Sequence, residues 1–197
     1  MYSIYTVKDT FSLQPESFGD DIEAVAEAVL QRKYEGKVDK DMGIIVAVFN
    51  VKNISDGVIY PGDPTTKHDA DFEVLAFLPH VDEVVAGEVT EMTDFGAFVR
   101  IGPMDGLVHV SQIANEFLSF DRKTQTFMTR QKKTMLKKGD IVYAKISTVS
   151  MKGSVKDSKI ALTMKPVGLG KLEWISSEAK KAKREGSEKG GSKRSKR

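Results

Sequence analysis

The sequence predicts an α+β protein: an amino-terminal βαβββ domain over residues 1–80, a five-stranded β-barrel with an inserted hairpin over 81–175, and a basic tail over 176–197. Three observations predict it. The first 80 residues hold one amphipathic helical segment among long apolar, β-branched runs. From Val81 the pattern changes to short strands separated by glycine turns. No apolar residue follows Ala182, where Lys, Arg, Glu, Ser and Gly take over, a composition that cannot bury enough surface to order itself.

Residues 3–10, SIYTVKDT, alternate well enough for a first strand. The following stretch, PESFGDDIEAVAEAVLQRKYEGK, carries Phe18, Ile22, Val25, Ala26, Val29 and Leu30 at three- and four-residue spacings, which makes one apolar helical face. Acids in its first half suit the helix dipole, and Gly36 supplies the stop. That face needs a sheet to cover it. MGIIVAVFNV (42–51), DGVIYPG (56–62) and ADFEVLAFLP (70–79) supply one, with Gly and Pro marking the turns. The apolar residues at the end of this domain, Phe77, Leu78, Val81, Val84 and Val85, are expected to leave a surface that a partner covers.

Barrel strands are predicted at 84–92, 95–101, 105–110, 141–149 and 158–164. Between the third and fourth, ANEFLSFDRKTQTFMTRQKKTMLKKGD is too long for a plain turn, and FLSF and TFMTR flanking DRKTQ predict the inserted hairpin.

Composition excludes several function classes. The chain has no cysteine, so disulfides and thiolate zinc sites are ruled out, in keeping with a reducing, cytoplasmic setting. No run approaches the roughly 20 apolar residues of a membrane span, and MYSIYTVKDTFS lacks the layout of a signal peptide. Residues 1–80 carry 7 basic against 14 acidic side chains, residues 81–170 carry 13 against 10, and residues 171–197 carry 10 against 4. An acidic first part and a basic remainder suit different partners, because phosphate backbones attract only the second. Catalytic chemistry finds no foothold. His68, His80 and His109 show no metal spacing, no nucleophile elbow or Walker loop is present, and GLGK at 168–171 reads as a turn. Asp20 and Asp21 are accounted for by helix capping. No catalytic residue, metal or cofactor is expected.

Along FGAFVRI, alternation sends Ala97, Val99 and Ile101 to one face and Phe98 and Arg100 to the other. The first set fills the barrel. Phe98 and Arg100 then face outward, Phe95 sits at the start of the strand beside Gly96, and His109 ends the next one. Flat rings beside a guanidinium suit unpaired bases, since stacking contributes roughly 1–3 kcal/mol per base whatever the base. Arg130, Lys132 and Lys133 of the insertion add charge for the phosphates.

The order GEVTEMTDFGAFVRI…DGLVHVS resembles the ribosomal S-one type of OB-fold barrel. The resemblance implies that Phe95, Phe98 and His109 face RNA, that Lys159 in DSKIALTM is the basic residue before the last strand, and that Asp157 is the candidate for its acidic companion. YEGKVDKDMGIIVAV after a single helix, GDP at a strand turn, the long insertion and GLGKLEWI together are similar to the E-type stalk proteins of archaeal RNA polymerase, counterparts of the seventh subunit of eukaryotic RNA polymerase II, over about residues 1–175. This implies a non-catalytic stalk subunit of a DNA-directed RNA polymerase, itself a nucleotidyltransferase complex. The first domain would dock on the polymerase core and the barrel would bind emerging single-stranded RNA. The smaller, F-type stalk protein of the polymerase would be the heterodimer partner, with transcription initiation factors as further candidates. Gly62 and Asp63 form the expected core-docking turn, with Pro64 where the family usually reads glycine, and Leu169 and Trp174 are candidates for the contact with the smaller stalk protein. The alternatives are a free-standing RNA-binding adaptor of the exosome or translation-initiation type, which would share the barrel residues but not need the first domain, and a nuclease, which would need a carboxylate-rich site.

Overall fold

β-Branched and aromatic residues recur through the strands of the first 80 positions, which build one antiparallel sheet. Its elements, in a computed structural model that describes residues 1–129 and 135–176, are β1 (Tyr2–Leu13), α1 (Ile22–Tyr34), β2 (Val38–Asp39), β3 (Gly43–Lys52), β4 (Val58–Ile59) and β5 (Thr66–Phe77). β5 is the spine. It pairs with β1 along its whole length, from Tyr2 opposite Phe77 to Leu13 opposite Thr66, and with β3 on its other side. β2 extends β3, and β4 pairs with the start of β5.

α1 begins where the Asp21 carboxylate accepts from the Glu23 N–H at 3.1 Å. It ends at Gly36, whose φ of +75° directs its N–H to the Ile45 carbonyl at 2.9 Å. Ala26 and Leu30 are fully buried against Phe11, Ile45, Val48, Phe72 and Val74. Phe18 and Ile22, expected on this face, are exposed instead. Phe18 follows a separate 3-10 turn at Pro15–Ser17 and Ile22 is the first helical residue. The last turn of α1 is tied to β1, with Lys33 Nζ and Tyr34 OH both donating to the Asp9 carboxylate and Lys33 also reaching the Thr10 carbonyl at 2.9 Å.

The strand expected over 56–62 shrinks to Val58–Ile59. Pro61 and Pro64 bracket a turn there, and proline has no N–H to give a ladder.

Downstream lie β6 (Val84–Thr93), β7 (Gly96–Arg100), β8 (Asp105–His109), α2 (Val110–Ile113), β9 (Leu118–Asp121), β10 (Thr126–Thr129), β11 (Met135–Lys137), β12 (Ile141–Ser150), β13 (Lys159–Thr163) and β14 (Gly170–Lys171). β6, β7 and β8 form an antiparallel meander, β13 runs parallel to β8, and β12 pairs with both β13 and β6, so five strands close into a barrel. Val89, Ala97, Val99, Val108, Ala144 and Ile146 are fully buried. So are Phe77 and Val85, expected at the surface; of that group Val81 and Val84 are the exposed members. The expected inserted hairpin forms as β9 and β10, and β11 adds a third strand to make the sheet β11-β10-β9. Its third strand is drawn from the polar-looking TMLKKG, where Leu136 is buried opposite Phe127.

GLGKLEWI straps the chain to the barrel. β14 pairs with Val142 and Tyr143 of β12. Lys171 Nζ lies 3.1 Å from Asp140 Oδ1 and 3.1 Å from Glu173 Oε2. Burial acts to lower the Lys171 pKa, but these two carboxylates outweigh it and the net shift is upward. Among the described residues the chain divides into two compact units, Met1–Pro79 with Met151–Ser158, and His80–Ser150 with residues 159–176. No helix among the described residues is long and apolar enough to cross a membrane.

Burial acts to raise the Asp9 pKa, but the hydrogen bonds from Lys33 and Tyr34 prevail and hold it below the usual carboxylate range. A group with a depressed folded pKa contributes stability that is present above its unfolded value of about 3.9 and lost as pH falls through the folded value. Asp9→Asn should therefore lower the melting temperature at neutral pH, and the gap to the parent should narrow as pH falls below about 4 in a series of thermal melts.

Candidate nucleic-acid interface

In a closed barrel the strand period of two leaves each side chain either inside or outside. Ala97, Val99 and Ile101 go inside, as their alternation predicts, and Phe98 and Arg100 go outside. The register sets Phe98 opposite Leu107 of β8 and Glu91 of β6, and Leu107 beside Ala161 of β13. Phe98 is half-buried within this outward row.

Phe95 precedes β7 and is 45% exposed. Its carbonyl accepts from the Val110 N–H at 2.8 Å, which ties it to the start of α2. The Phe95 and Phe98 rings meet edge to face, centroids 6.1 Å apart at 88°. His109 stands opposite Gly96 and caps α2. The Ser111 N–H donates to His109 Nδ1 at 3.2 Å, and Ser111 Oγ lies 2.8 Å from the same nitrogen. Nδ1 is thus an acceptor, so in the neutral ring the proton sits on Nε2 as the remaining donor.

Gly96 makes this arrangement possible. A Cβ at that position would lie 2.3 Å from the Val108 carbonyl oxygen and 3.1 Å from His109 Cα, so only a residue without a side chain lets β7 lie this close to β8. Thr93 Oγ1 fixes the turn before it by donating to the Gly96 carbonyl at 2.9 Å.

The expected cations are placed unevenly. Arg100 is exposed but paired, its Nε 3.5 Å from Asp105 Oδ1, with Glu88 opposite on the other neighbouring strand. An exposed ion pair of this kind contributes little to stability, so the guanidinium can exchange partners. Lys159 is exposed at the start of β13, two residues before Ala161 and hence on its face. Asp157 does not accompany it; its carboxylate accepts from Ser154 Oγ at 2.7 Å. Arg130, Lys132 and Lys133 lie outside the described residues. Leu107 and Glu91 were not singled out from the sequence, although alternation in DGLVH already sends Leu107 outward with His109. Among the described residues no group of three or more His, Asp and Glu could hold a metal ion.

The turn at 60–63 in the first unit is well defined. The Asp63 N–H returns to the Tyr60 carbonyl at 3.0 Å with Gly62 at φ +85°, so the one residue that needs positive φ is glycine and Pro64 is accommodated. Asp63 Oδ1 accepts from Thr65 Oγ1 at 2.7 Å and from the Thr65 N–H at 2.9 Å, and Lys67 lies 3.2 Å from its other oxygen. The Thr65 hydroxyl, the Thr65 N–H and Lys67 together pull the carboxyl down to about 2. Just before this turn Val58, Ile59 and Tyr60 are each more than half exposed, an apolar run that the sequence alone assigned to a strand over 56–62. Leu169 and Trp174 are half-buried, and the Trp174 ring lies over Gly170, where an added Cβ would come within 2.9 Å of it.

Two family models match the chain. Residues 8–64 match the SHS2 domain found in the N terminus of Rpb7p/Rpc25p/MJ0397, and residues 78–160 match the S1 RNA binding domain. The DNA-directed RNA polymerase subunit Rpo7 of Saccharolobus shibatae is 38% identical over 181 residues, 92% of this chain and 100% of that protein. That of Sulfolobus acidocaldarius is 38% identical over 182 residues, 92% and 99% of the two chains. The DNA-directed RNA polymerase III subunit RPC8 of Bos taurus is 22% identical over 128 residues, 65% of this chain and 63% of that one.

Gly96→Ala forces the added carbon into the Val108 carbonyl. Chemical denaturation should show a loss of about 1–3 kcal/mol, the usual cost of overpacking. The same change at Gly153, which has nothing within 4 Å of the added carbon, should leave stability within about 0.5 kcal/mol.

Proposed function

The chain belongs to the Rpo7 family of DNA-directed RNA polymerase subunits, and we propose from its geometry how it serves such an enzyme. It is a non-catalytic stalk subunit of the polymerase, and its S1 barrel binds RNA. One observation carries the finer reading: Phe95, Phe98 and His109 share an outward face over a filled interior. Bases of the emerging single strand stack on Phe98 and on the exposed Phe95. The Nε2–H of His109 donates to a base or phosphate oxygen, and Arg100 and Lys159 meet phosphates, joined by Arg130, Lys132 and Lys133. Arg100 does so by trading Asp105 for a phosphate.

Docking on the polymerase core falls to the turn at Gly62 and Asp63 together with Val58, Ile59 and Tyr60. A turn already fixed by hydrogen bonds loses little entropy on binding, and the neighbouring apolar side chains supply area to bury. The smaller, F-type stalk protein is the proposed heterodimer partner, with Leu169 and Trp174 on the contact surface; transcription initiation factors are further candidates. The cytoplasm is the expected compartment.

Two experiments test this reading. Phe98→Ala, and more weakly Phe95→Ala and His109→Ala, should lose about 1–3 kcal/mol of single-stranded RNA affinity while keeping the parent's salt dependence, because stacking releases no counterions. A folded Phe98→Ala variant that binds as the parent does would contradict the aromatic platform. Ile59→Asp combined with Asp63→Lys should weaken retention on core polymerase while leaving RNA affinity unchanged. Equal retention of parent and variant would remove the tip from the docking surface.

A further inference from the structure

The insertion reaches back to the aromatic face through a contact that joins two distant turns. Arg122, first residue of the turn between β9 and β10, places Nη2 3.7 Å from Oδ2 of Asp94, the residue immediately before Phe95. Both side chains are largely exposed, at 83% for Arg122 and 63% for Asp94. The turn that presents Arg122 is itself ordered. The Asp121 carboxylate accepts from the Lys123 N–H at 2.9 Å, and the Thr124 and Thr126 hydroxyls lie 2.8 Å apart. Below it Phe120 and Phe127 pack with centroids 5.1 Å apart, and Phe127 is fully buried. Arg122 and the exposed Lys123 are therefore held at the Phe95 end of the face by a packed sheet.

We propose that Arg122, with Lys123 beside it, is a phosphate contact that continues the RNA path from Phe95 and His109 onto the insertion; this rests on the RNA-binding reading of the aromatic face. Asp94 is the guanidinium's partner in the free protein. A bidentate phosphate is the better match for the guanidinium fork than a single carboxylate oxygen at 3.7 Å. Binding therefore exchanges one anion for another, and Asp94 acts as a competitor that keeps the guanidinium beside Phe95 until a phosphate arrives. No local pattern in the chain marks this pair, since Arg122 and Asp94 are remote in sequence and meet only through the fold.

The test is a salt titration of a fluorescent oligouridylate on the full chain between about 50 and 200 mM salt. Arg122→Ala should reduce the magnitude of the log–log salt slope by about 0.7, as expected for one lost contact on a single strand, and Arg122→Lys should restore most of it. Asp94→Asn should tighten binding at low salt, because it frees the guanidinium and removes a negative charge from the path. If the pair serves only to hold the insertion in place, Arg122→Ala and Asp94→Asn will lower the melting temperature together and leave the slope at the parent value, and the proposal is overturned. If the parent itself shows no Phe98-dependent binding, the aromatic reading fails first and this one with it. Parent-like, Phe98-dependent binding with an unchanged slope in Arg122→Ala defeats this proposal alone.

Discussion

The close approach of β7 to β8 at Gly96 is the constraint on which the barrel's outer surface depends. With the Val108 carbonyl occupying the space where any Cβ would stand, the register of Gly96 against His109 and of Phe98 against Leu107 is set. A slip of one residue would turn Ala97 and Val99 outward and drive Phe98 and Arg100 into an interior already filled. The face that carries the rings is thus a consequence of what the interior can hold. Closure enforces it from the other side, since β12 must pair with both β6 and β13, which leaves no free edge between these strands to absorb a shift.

Much of this was legible because it is local. Period-two alternation in FGAFVRI separates inward from outward residues without reference to anything else in the chain, and the three- and four-residue spacing around Ala26 and Leu30 marks the buried face of α1. The resemblance to known families added Lys159 and the turn at Gly62 and Asp63 as candidates only. What escaped was long-range. Phe18 and Ile22 continue the apolar spacing, yet they stand at or before the first helical residue and remain exposed. Val58, Ile59 and Tyr60 look like the middle of a longer strand, but Pro61 and Pro64 cut it to two paired residues. The third strand of the insertion has one buried leucine between exposed Met135 and Lys137, and its pairing with β10 cannot be read from composition. Arg100 read as an available cation because Asp105, five residues on, faces it only once β8 has folded back.

Charge follows the same division of labour. The acidic domain offers a rigid turn flanked by exposed apolar residues, and its Asp63 is committed to Thr65 and Lys67, so that carboxylate serves the shape of the turn. The barrel carries its cations on exposed side chains paired with single carboxylates, as at Arg100 with Asp105 and Arg122 with Asp94. Such pairs are weak in water and are readily exchanged for phosphate. By contrast the pair that fastens the carboxy-terminal strap, Lys171 with Asp140, is largely buried on both sides, so water screens it far less.

The proposed RNA path depends on one outward face of the barrel, centred on Phe98. Amide chemical shifts of the isotopically labelled full chain, followed during titration with an oligouridylate, test it most directly. Changes should gather at Phe95, Phe98, Leu107 and His109, fade on Val99 and Val108 behind them, and spare Ile141 and Tyr143 on β12. Changes concentrated on β12 or in residues 1–79, with Phe98 and His109 unmoved, would contradict it.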